Sequence, residues 1–544
     1  MKVFLTRILP RLCVLAVLLI SLAMLLAHYL SSVSIVSPQV PQASEEFQND
    51  LSAVNETFAR ASDLAGDAPA PAADRLTLAR RLSLALTGSP PSLEEIRNLE
   101  KLPEDGDPIA FWLDHLFADR RYADYLAERF ARAFVGVETG PFLVYRRRRL
   151  VTWLGDQLTA NRPYDELVRD LISAEGLWTS QPETNFITVS VMQGKGGPDE
   201  QKLAARSSRA FLGFSLDCVQ CHDDKFGDRW KQEDFHQLAA YFAQADMTIT
   251  GVREKKGINY ETRYLGKTEM TVVAPHVPYQ PELLGESGSR REQIANWVTH
   301  PKNEAFARAT VNRTWAILFG RPLLTPVDDI PLDGPYPAGL EELARCFTES
   351  GYDLQYLIRI IASSEPFRRD SRSGDPERPV TAEQEAVWCA FPITPLRPEQ
   401  VAGSVIQAST LQTLDSTTHV FQKLRRSFET RDFVKRYGDP GENEFAEESG
   451  TIPQRLLLMN GKLVRERIQP NPLLSSTSRI AKYSPSDNAA IDAAFLAVLT
   501  RYPNEEERNH FRSSLDGKKG KTRDSAFTDL FWALINTTEF SWNR

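Results

Sequence analysis

The chain has 544 residues with a formal net charge of −8 at pH 7, and its hydrophobic and charged fractions, 42% and 25%, are those of a globular protein. This length allows about two or three domains, and five cysteines are too few for a disulfide-stapled scaffold. The negative balance excludes a chain-wide basic field, so we predict no nucleic-acid partner.

Residues 1–36 predict a membrane segment. Lys2, Arg7 and Arg11 precede an apolar run from Leu12 to Leu30. About 19 apolar residues nearly span a bilayer as a helix, and the positive flank keeps the preceding end in the cytoplasm. No A-x-A cleavage site follows, which favours an uncleaved anchor over a cleaved signal peptide. We therefore predict a periplasmic or cell-surface protein anchored to the cytoplasmic membrane, with secretion after cleavage as the alternative.

The remaining sequence predicts a mainly α-helical protein. Residues 37–73 contain four prolines and many Ala, Ser and acidic residues, and we interpret them as a flexible linker. Residues 74–245 and 285–544 predict two helical domains, because apolar residues recur there with helical spacing. Between them, residues 246–284 hold short β-branched and aromatic runs divided by glycines, which predict a β-hairpin or a three-stranded insert.

Local signals place several helices in the first of these domains. Ser92 and Glu95 have the spacing of a capping box, and Asp107-Pro108 is typical of a helix start. Periodicity predicts further helices near 119–134, 147–160, 163–174, 199–213 and 231–243.

The run Cys218-Val219-Gln220-Cys221-His222 is the sharpest chemical signal in the chain. A C-x-x-C-H pentapeptide is the attachment signature of c-type haem. Cys218 and Cys221 would bind haem covalently, and His222 would be the proximal iron ligand. No spacing singles out a ligand for the opposite face of the iron, and we favour Met247 or Met270.

Two other interpretations of this motif stay open. The thiolates, His222 and either Asp223 or Asp224 are a donor set for a single metal ion, although Cys221 and His222 project in different directions. Alternatively, an exported CxxC pair can close a reactive disulfide with no cofactor. The cofactor is therefore haem c, a single metal ion or none.

A second concentration of polar residues comprises Asn312, Arg313, Asp328 and Asp329. One interpretation is a ligand pocket in which Arg313 binds an anion. The interpretation that we favour is a buried anchor between a helix and a loop. In that anchor, Arg313 pairs with Asp328 or Asp329, and Asn312 satisfies loop carbonyls.

Four consecutive arginines, Arg146 to Arg149, form the densest cationic run. Such a run can face haem propionates, an anionic glycan or lipid. More commonly it is the solvated face of a helix, and that is our prediction.

Several longer motifs resemble one family. They include Leu86-Thr87-Gly88-Ser89-Pro90-Pro91, Phe211-Leu212-Gly213 with Cys218 to Asp223 and Lys225-Phe226, Val311-Asn312-Arg313 with Pro326-Val327-Asp328-Asp329, and Arg397-Pro398-Glu399-Gln400. Together they resemble exported proteins of planctomycetes and related bacteria that carry domains of unknown function fifteen forty-nine and fifteen fifty-three. The first of these is also called a cytochrome-like domain. Relatives often have C-x-x-C-H-x-H, and Asp224 stands here in place of the second histidine.

We therefore expect an exported c-type haem protein that transfers electrons to a redox protein partner and is tethered to the membrane by its N-terminal helix. The alternative is a non-redox surface protein for binding or assembly, with a CxxC disulfide or a small metal site. A third hypothesis is a hydrolase that acts on polysaccharides, although the chain lacks G-x-S-x-G, H-E-x-x-H and P-loop motifs. Whether the protein is an enzyme stays open.

Overall fold

Helices make up most of the protein in the computed structural model, which confirms the predicted mainly α fold class. The structure describes residues 44–65, 68–137, 140–141, 143–191, 197–224, 229–375, 377–415, 418, 420–441, 445, 450–471 and 475–544. The anchor predicted in residues 1–36 lies outside these ranges. Within them, no helix is long and apolar enough to cross a membrane.

The helices before residue 245 largely follow the sequence signals. Their bounds are α1 Glu45–Ala65, α2 Arg75–Thr87, α3 Leu93–Leu99, α4 Pro108–Phe117, α5 Arg120–Val135, α6 Arg147–Thr159, α7 Tyr164–Ser173, α8 Asn185–Thr188, α9 Glu200–Ser207 and α10 Gln232–Ala239. The capping box of Ser92 and Glu95 begins α3, as predicted. Asp107 caps α4, where its carboxylate accepts a hydrogen bond from the Ile109 N–H.

The second helical region begins near residue 290. Its helices are α11 Arg290–Val298, α12 Glu304–Phe319, α13 Leu340–Glu349, α14 Leu354–Ser363, α15 Glu365–Arg368, α16 Ala382–Ala386, α17 Pro398–Ala408, α18 Val420–Tyr437, α19 Ile452–Asn460, α20 Lys462–Ile468, α21 Ser476–Tyr483, α22 Asp487–Leu499, α23 Glu505–Leu515 and α24 Gly520–Ile535.

The predicted β insert consists of two antiparallel hairpins. One pairs β1 (Ala245–Thr248) with β2 (Gly251–Glu254), and the other pairs β3 (Tyr260–Thr262) with β4 (Thr271–Val273). A third antiparallel pair lies outside the insert. There, β5 (Thr394–Pro395) pairs with β6 (Trp542–Asn543) and joins two distant parts of the second helical region.

The linker predicted for residues 37–73 is wrong over Glu45–Ala65, which form α1. This helix packs against α13 and α14. Val54 and Phe58 are buried one helical turn apart, and the Phe58 ring stacks on Trp315 at 5.3 Å between centroids. Such a narrow apolar stripe is hard to recognise among acidic and Ala residues, so tertiary packing decides the structure here.

Arg81 in α2 joins distant parts of the chain. Its fully buried guanidinium donates hydrogen bonds to the carbonyl oxygens of Phe367 (2.9 Å), Arg369 (2.7 Å) and Arg544 (2.7 Å). It also lies 3.6 Å from the centroid of the Phe391 ring. Residues 42–544 belong to one compact unit, and the domain boundaries that we placed at residues 245 and 285 stay predictions.

Candidate functional site at the cysteine motif

The cysteine motif lies on a short turn after α9. That helix continues into a π-helical turn over Ser208–Leu212, which ends at Gly213 with a φ of +68°. Cys218–Gln220 then form a single 3₁₀ turn, in which the Cys221 N–H donates to the Cys218 carbonyl at 3.3 Å. Val219 is buried between the two cysteines, whereas both thiols are free and exposed. Val219 therefore packs inside the protein, while the thiols of Cys218 and Cys221 are accessible to solvent.

The His222 ring has a defined tautomer. Its Nδ1 atom lies 2.7 Å from the carbonyl oxygen of Asp223. A carbonyl oxygen only accepts hydrogen bonds, so Nδ1 is the donor, and in the neutral ring Nε2 carries the lone pair. A backbone carbonyl on one ring nitrogen commonly orients a histidine that binds a metal through the other nitrogen.

The loop after His222 is held by hydrogen bonds to α10. The Asp223 carboxylate accepts from the Gln232 N–H at 2.8 Å, and the Gln232 side chain donates to the Gln220 carbonyl at 3.0 Å. The Asp224 N–H donates to the Trp230 carbonyl at 2.9 Å. Lys225 and Phe226, which belong to the motif block in the sequence, lie outside the described residues.

A buried histidine lies behind the motif. His236 is 2% exposed, and its Nδ1 atom lies 2.8 Å from the Tyr260 hydroxyl. In the described part of the chain, its Nε2 atom has no partner with hydrogen-bond geometry. Burial lowers the pKa of His236, while the nearby Gln220 carbonyl acts in the opposite direction, so we expect a neutral ring at pH 7. Nothing in the sequence spacing distinguished this histidine.

The two methionines proposed as iron ligands lie on the β insert. Met247 is opposite Val252 in the β1–β2 hairpin, and Met270 is 54% exposed just before β4. No contact recorded between described residues joins either side chain to the cysteine motif, so their role stays a prediction. No group of three or more His, Cys, Asp or Glu in the described ranges is arranged to hold a metal ion.

The second polar group surrounds a buried helix. The Asn312 amide in α12 donates to the carbonyls of Leu324 (2.9 Å) and Val327 (3.2 Å) and accepts from the Leu324 N–H at 2.9 Å. Asn312 therefore anchors the loop that leads to Asp328. Arg313 is buried near Tyr164 instead. Burial raises the pKa of the Tyr164 phenol, and the nearby positive charge of Arg313 acts in the opposite direction. Among the described ion pairs, none joins Arg313 to Asp328 or Asp329.

The structure brings the two predicted sites together. The Ile330 N–H, directly after Asp329, donates to the Gly213 carbonyl at 2.6 Å. Burial raises the pKa of Asp329, and the charge of Asp224 in the cysteine loop raises it further, while Arg229 opposes both effects. The sequence carries no signal for this contact, which joins residues about one hundred positions apart.

Gly213 accepts the hydrogen bond that joins the two segments. Gly213→Ala is expected to lower the free energy of unfolding by about 2 kcal/mol. A Cβ atom there would lie 3.0 Å from the Ala309 Cβ and 3.0 Å from the Ile330 Cδ1, at a backbone φ of +68°. Gly257 also has positive φ, +83°, but open space around its Cβ position, so Gly257→Ala isolates the backbone cost. Chemical denaturation compares the two variants, and equal losses would contradict a tight contact at Gly213.

Family models match two segments of the chain. Residues 53–247 match PSCyt2, described as a protein of unknown function (DUF1549), and residues 290–444 match PSD1, described as a protein of unknown function (DUF1553). The chain belongs to the proteins that carry these two domains in this order. This confirms the resemblance seen in the sequence motifs. No curated protein and no solved structure matches the chain.

The two domains divide the site between them. The PSCyt2 domain begins within α1 and includes the cysteine motif, whereas the PSD1 domain contributes Asn312 and Asp329. Hence the hydrogen bond between Gly213 and Ile330 crosses from one domain to the other. The descriptions of both domains assign no activity.

Proposed function

We propose that the PSCyt2 domain attaches haem c covalently through Cys218 and Cys221, that His222 is the proximal iron ligand, and that the protein transfers electrons to a redox partner. The hydrogen bond between His222 Nδ1 and the Asp223 carbonyl carries this proposal. It holds the proton on one ring nitrogen, so the other nitrogen is available to iron.

The residues of the motif fit this group. Both thiols are free and exposed on one turn, as attachment from the solvent side requires. Val219 is buried beneath the turn, and the Gln232 side chain donates to the Gln220 carbonyl, so protein contacts support the turn. Bound haem would supply one-electron redox chemistry.

Export forms part of the same proposal. The anchor predicted from residues 1–36 would place the PSCyt2 and PSD1 domains on the outer side of the cytoplasmic membrane. Covalent haem attachment in bacteria takes place on that side.

Covalent haem is expected in the wild-type protein and absent from the Cys218→Ala/Cys221→Ala variant, because the variant has no thiol on the turn. The test uses a host that exports the chain and matures c-type cytochromes. Haem staining of a denaturing gel detects attachment, and an alkaline pyridine spectrum measures haem per chain. Cys389→Ala is the matched control, since it removes a thiol that is buried beside Ser62. No bound haem in the wild type, while the host matures a known cytochrome, would refute the proposal.

The exposure of both thiols also favours a second candidate, a surface protein with a reversible CxxC disulfide. Counting thiols in the same preparation separates the two. Two thiols that become reactive only after reduction, in a protein without haem, would support this candidate. Full haem occupancy would exclude it.

A further inference from the structure

A cleft lies away from the cysteine motif. This cleft has a volume of about 890 Å³ and is lined by residues of α5 and α6 on one side and of α17 and α18 on the other. Its size is that of a small-molecule site. Gly88, at the end of α2, and Gly403 in α17 both line the cleft. A Cβ atom on Gly403 would lie 2.2 Å from the Gly88 carbonyl oxygen, so the backbones of the two helices are in direct contact there. We call it the arginine cleft.

The lining of the arginine cleft is strongly cationic. Nine Arg or Lys side chains and five Asp or Glu side chains line it, an excess of four positive charges. The chain as a whole has a net charge of −8. The cleft therefore concentrates positive charge within an acidic protein, which favours the entry of anions.

Four of the carboxylates in the cleft are already paired. Glu128 binds Arg147 at 2.8 Å, and Glu399 lies 3.0 Å from Arg129. In the same way, Asp124 binds Arg120 at 2.7 Å, and Asp439 binds both terminal nitrogens of Arg132 at 2.5 and 3.0 Å. Arg121 binds Glu95 and Asp119, which lie outside the lining, so five of the seven arginines in the cleft are paired. Among the described residues, Arg426 and Arg431 have no ion pair.

Arg147 retains unused donors in the cleft. Its Nη1 binds Glu128, but its Nε and Nη2 atoms are buried and have no hydrogen-bond partner among the described residues. Burying such donors without a partner is unfavourable, so a ligand that accepts hydrogen bonds from them is stabilised. Of the four arginines for which we predict a solvated face, Arg148 and Arg149 are exposed, whereas the Arg147 side chain is 25% exposed.

Arg426 on α18 also lines the cleft. Its Nη1 donates to the Leu414 carbonyl at 3.1 Å, and no described carboxylate forms an ion pair with it. Burial lowers the pKa of Arg426 to about 10, and the charge of Arg121 lowers it in the same direction, so the side chain is still cationic at pH 7. A partly buried cation without an ion pair is suited to bind an anion.

We infer that the arginine cleft binds a polyvalent oxyanion, a molecule with phosphate, sulfate or carboxylate groups, through the guanidinium groups of Arg147 and Arg426. Planar guanidinium forks match the paired oxygens of these groups. Ser427 and Thr430, which also line the cleft, supply neutral hydrogen-bond partners. The site is independent of haem attachment at Cys218 and Cys221.

Titration calorimetry of the full chain in mild detergent at low ionic strength tests this inference. The probes are pyrophosphate, sulfate and citrate in separate titrations, with sodium chloride as the monovalent reference. At least one probe is expected to saturate one site, and the probe that binds most tightly identifies the oxyanion class. In Arg147→Gln/Arg426→Gln, Kd is expected to rise at least about tenfold, because two charge-assisted contacts are lost.

Arg148→Gln/Arg425→Gln is the matched control. It removes the same charge from the same two helices at exposed positions, and Kd is expected to change less than about twofold. Equal weakening in both double variants, or no saturation by any probe, would overturn the inference.

Thermal denaturation tests whether the charge of Arg426 serves the fold. Arg426→Gln alone is expected to leave the unfolding midpoint unchanged or to raise it, since it removes a partly buried cation that has no ion pair among the described residues. A large fall in the midpoint would show that this charge serves the fold and would overturn its assignment to the ligand.

Discussion

Arg81→Met is expected to lower the free energy of unfolding by about 4 kcal/mol. Methionine keeps the length of the side chain but leaves three backbone oxygens without their donor, the buried one of Phe367 and the partly buried ones of Arg369 and Arg544. At about 1–3 kcal/mol for each unmet acceptor, the loss exceeds the gain from removing a desolvated charge. That gain is real, because burial lowers the pKa of Arg81 to about 9.

The neighbouring Arg80 provides the control for this prediction. It is also buried, but its guanidinium makes one long hydrogen bond, 3.3 Å to the Phe540 carbonyl, and its Nη1 atom has no partner among the described residues. We expect Arg80→Met to cost about 1 kcal/mol or less. Chemical denaturation followed by circular dichroism measures both variants, and equal losses would show that the carbonyl contacts of Arg81 are not decisive.

Glu95→Gln is expected to cost about 3 kcal/mol at pH 7. The Glu95 carboxylate is nearly inaccessible and accepts from Arg121 at 2.5 Å and from the Ser92 N–H at 2.7 Å. It also lies 3.0 Å from His115 Nε2. The neutral amide would leave the Arg121 guanidinium buried with a weaker partner. Glu94→Gln, one position away and exposed, is expected to change stability by about 0.5 kcal/mol or less.

The effect of Glu95→Gln is expected to depend on pH. Burial alone would raise the pKa of Glu95, but the His115 hydrogen bond and the Arg121 charge lower it to about 2, below its usual 4.5. The unfolded chain therefore binds this proton first, and the stability from the carboxylate is present above about pH 4.5 and lost as pH falls towards 2. Denaturation curves at pH 7 and pH 3 measure the change. A difference between wild type and variant that does not shrink at pH 3 would contradict this assignment.

Helix positions in the first half of the chain were predictable because their signals are local. Asp107-Pro108 and the pair Ser92 and Glu95 act within one helical turn, and both begin helices where expected. Helix α1 was missed because its two buried apolar residues, Val54 and Phe58, gain their stability from distant partners such as Trp315.

The candidate sites were likewise predictable only where their residues are adjacent in the sequence. The cysteine motif was recognisable because its donors are adjacent in sequence. The approach of Asp224 to Asp329 was not, since it depends on how α12 packs against the π-helical turn before Gly213. Likewise, the position of the Arg147 side chain depends on its ion pair with Glu128 on α5, which the run of four arginines does not reveal.

The hydrogen bond from Arg81 to Arg544 joins residues 463 positions apart. At a synthesis rate of about 5–20 residues per second, this acceptor is made roughly 25–90 seconds after the guanidinium that needs it. The other two acceptors, Phe367 and Arg369, are made earlier, so the set of hydrogen bonds around Arg81 is completed only after residue 544 has been added.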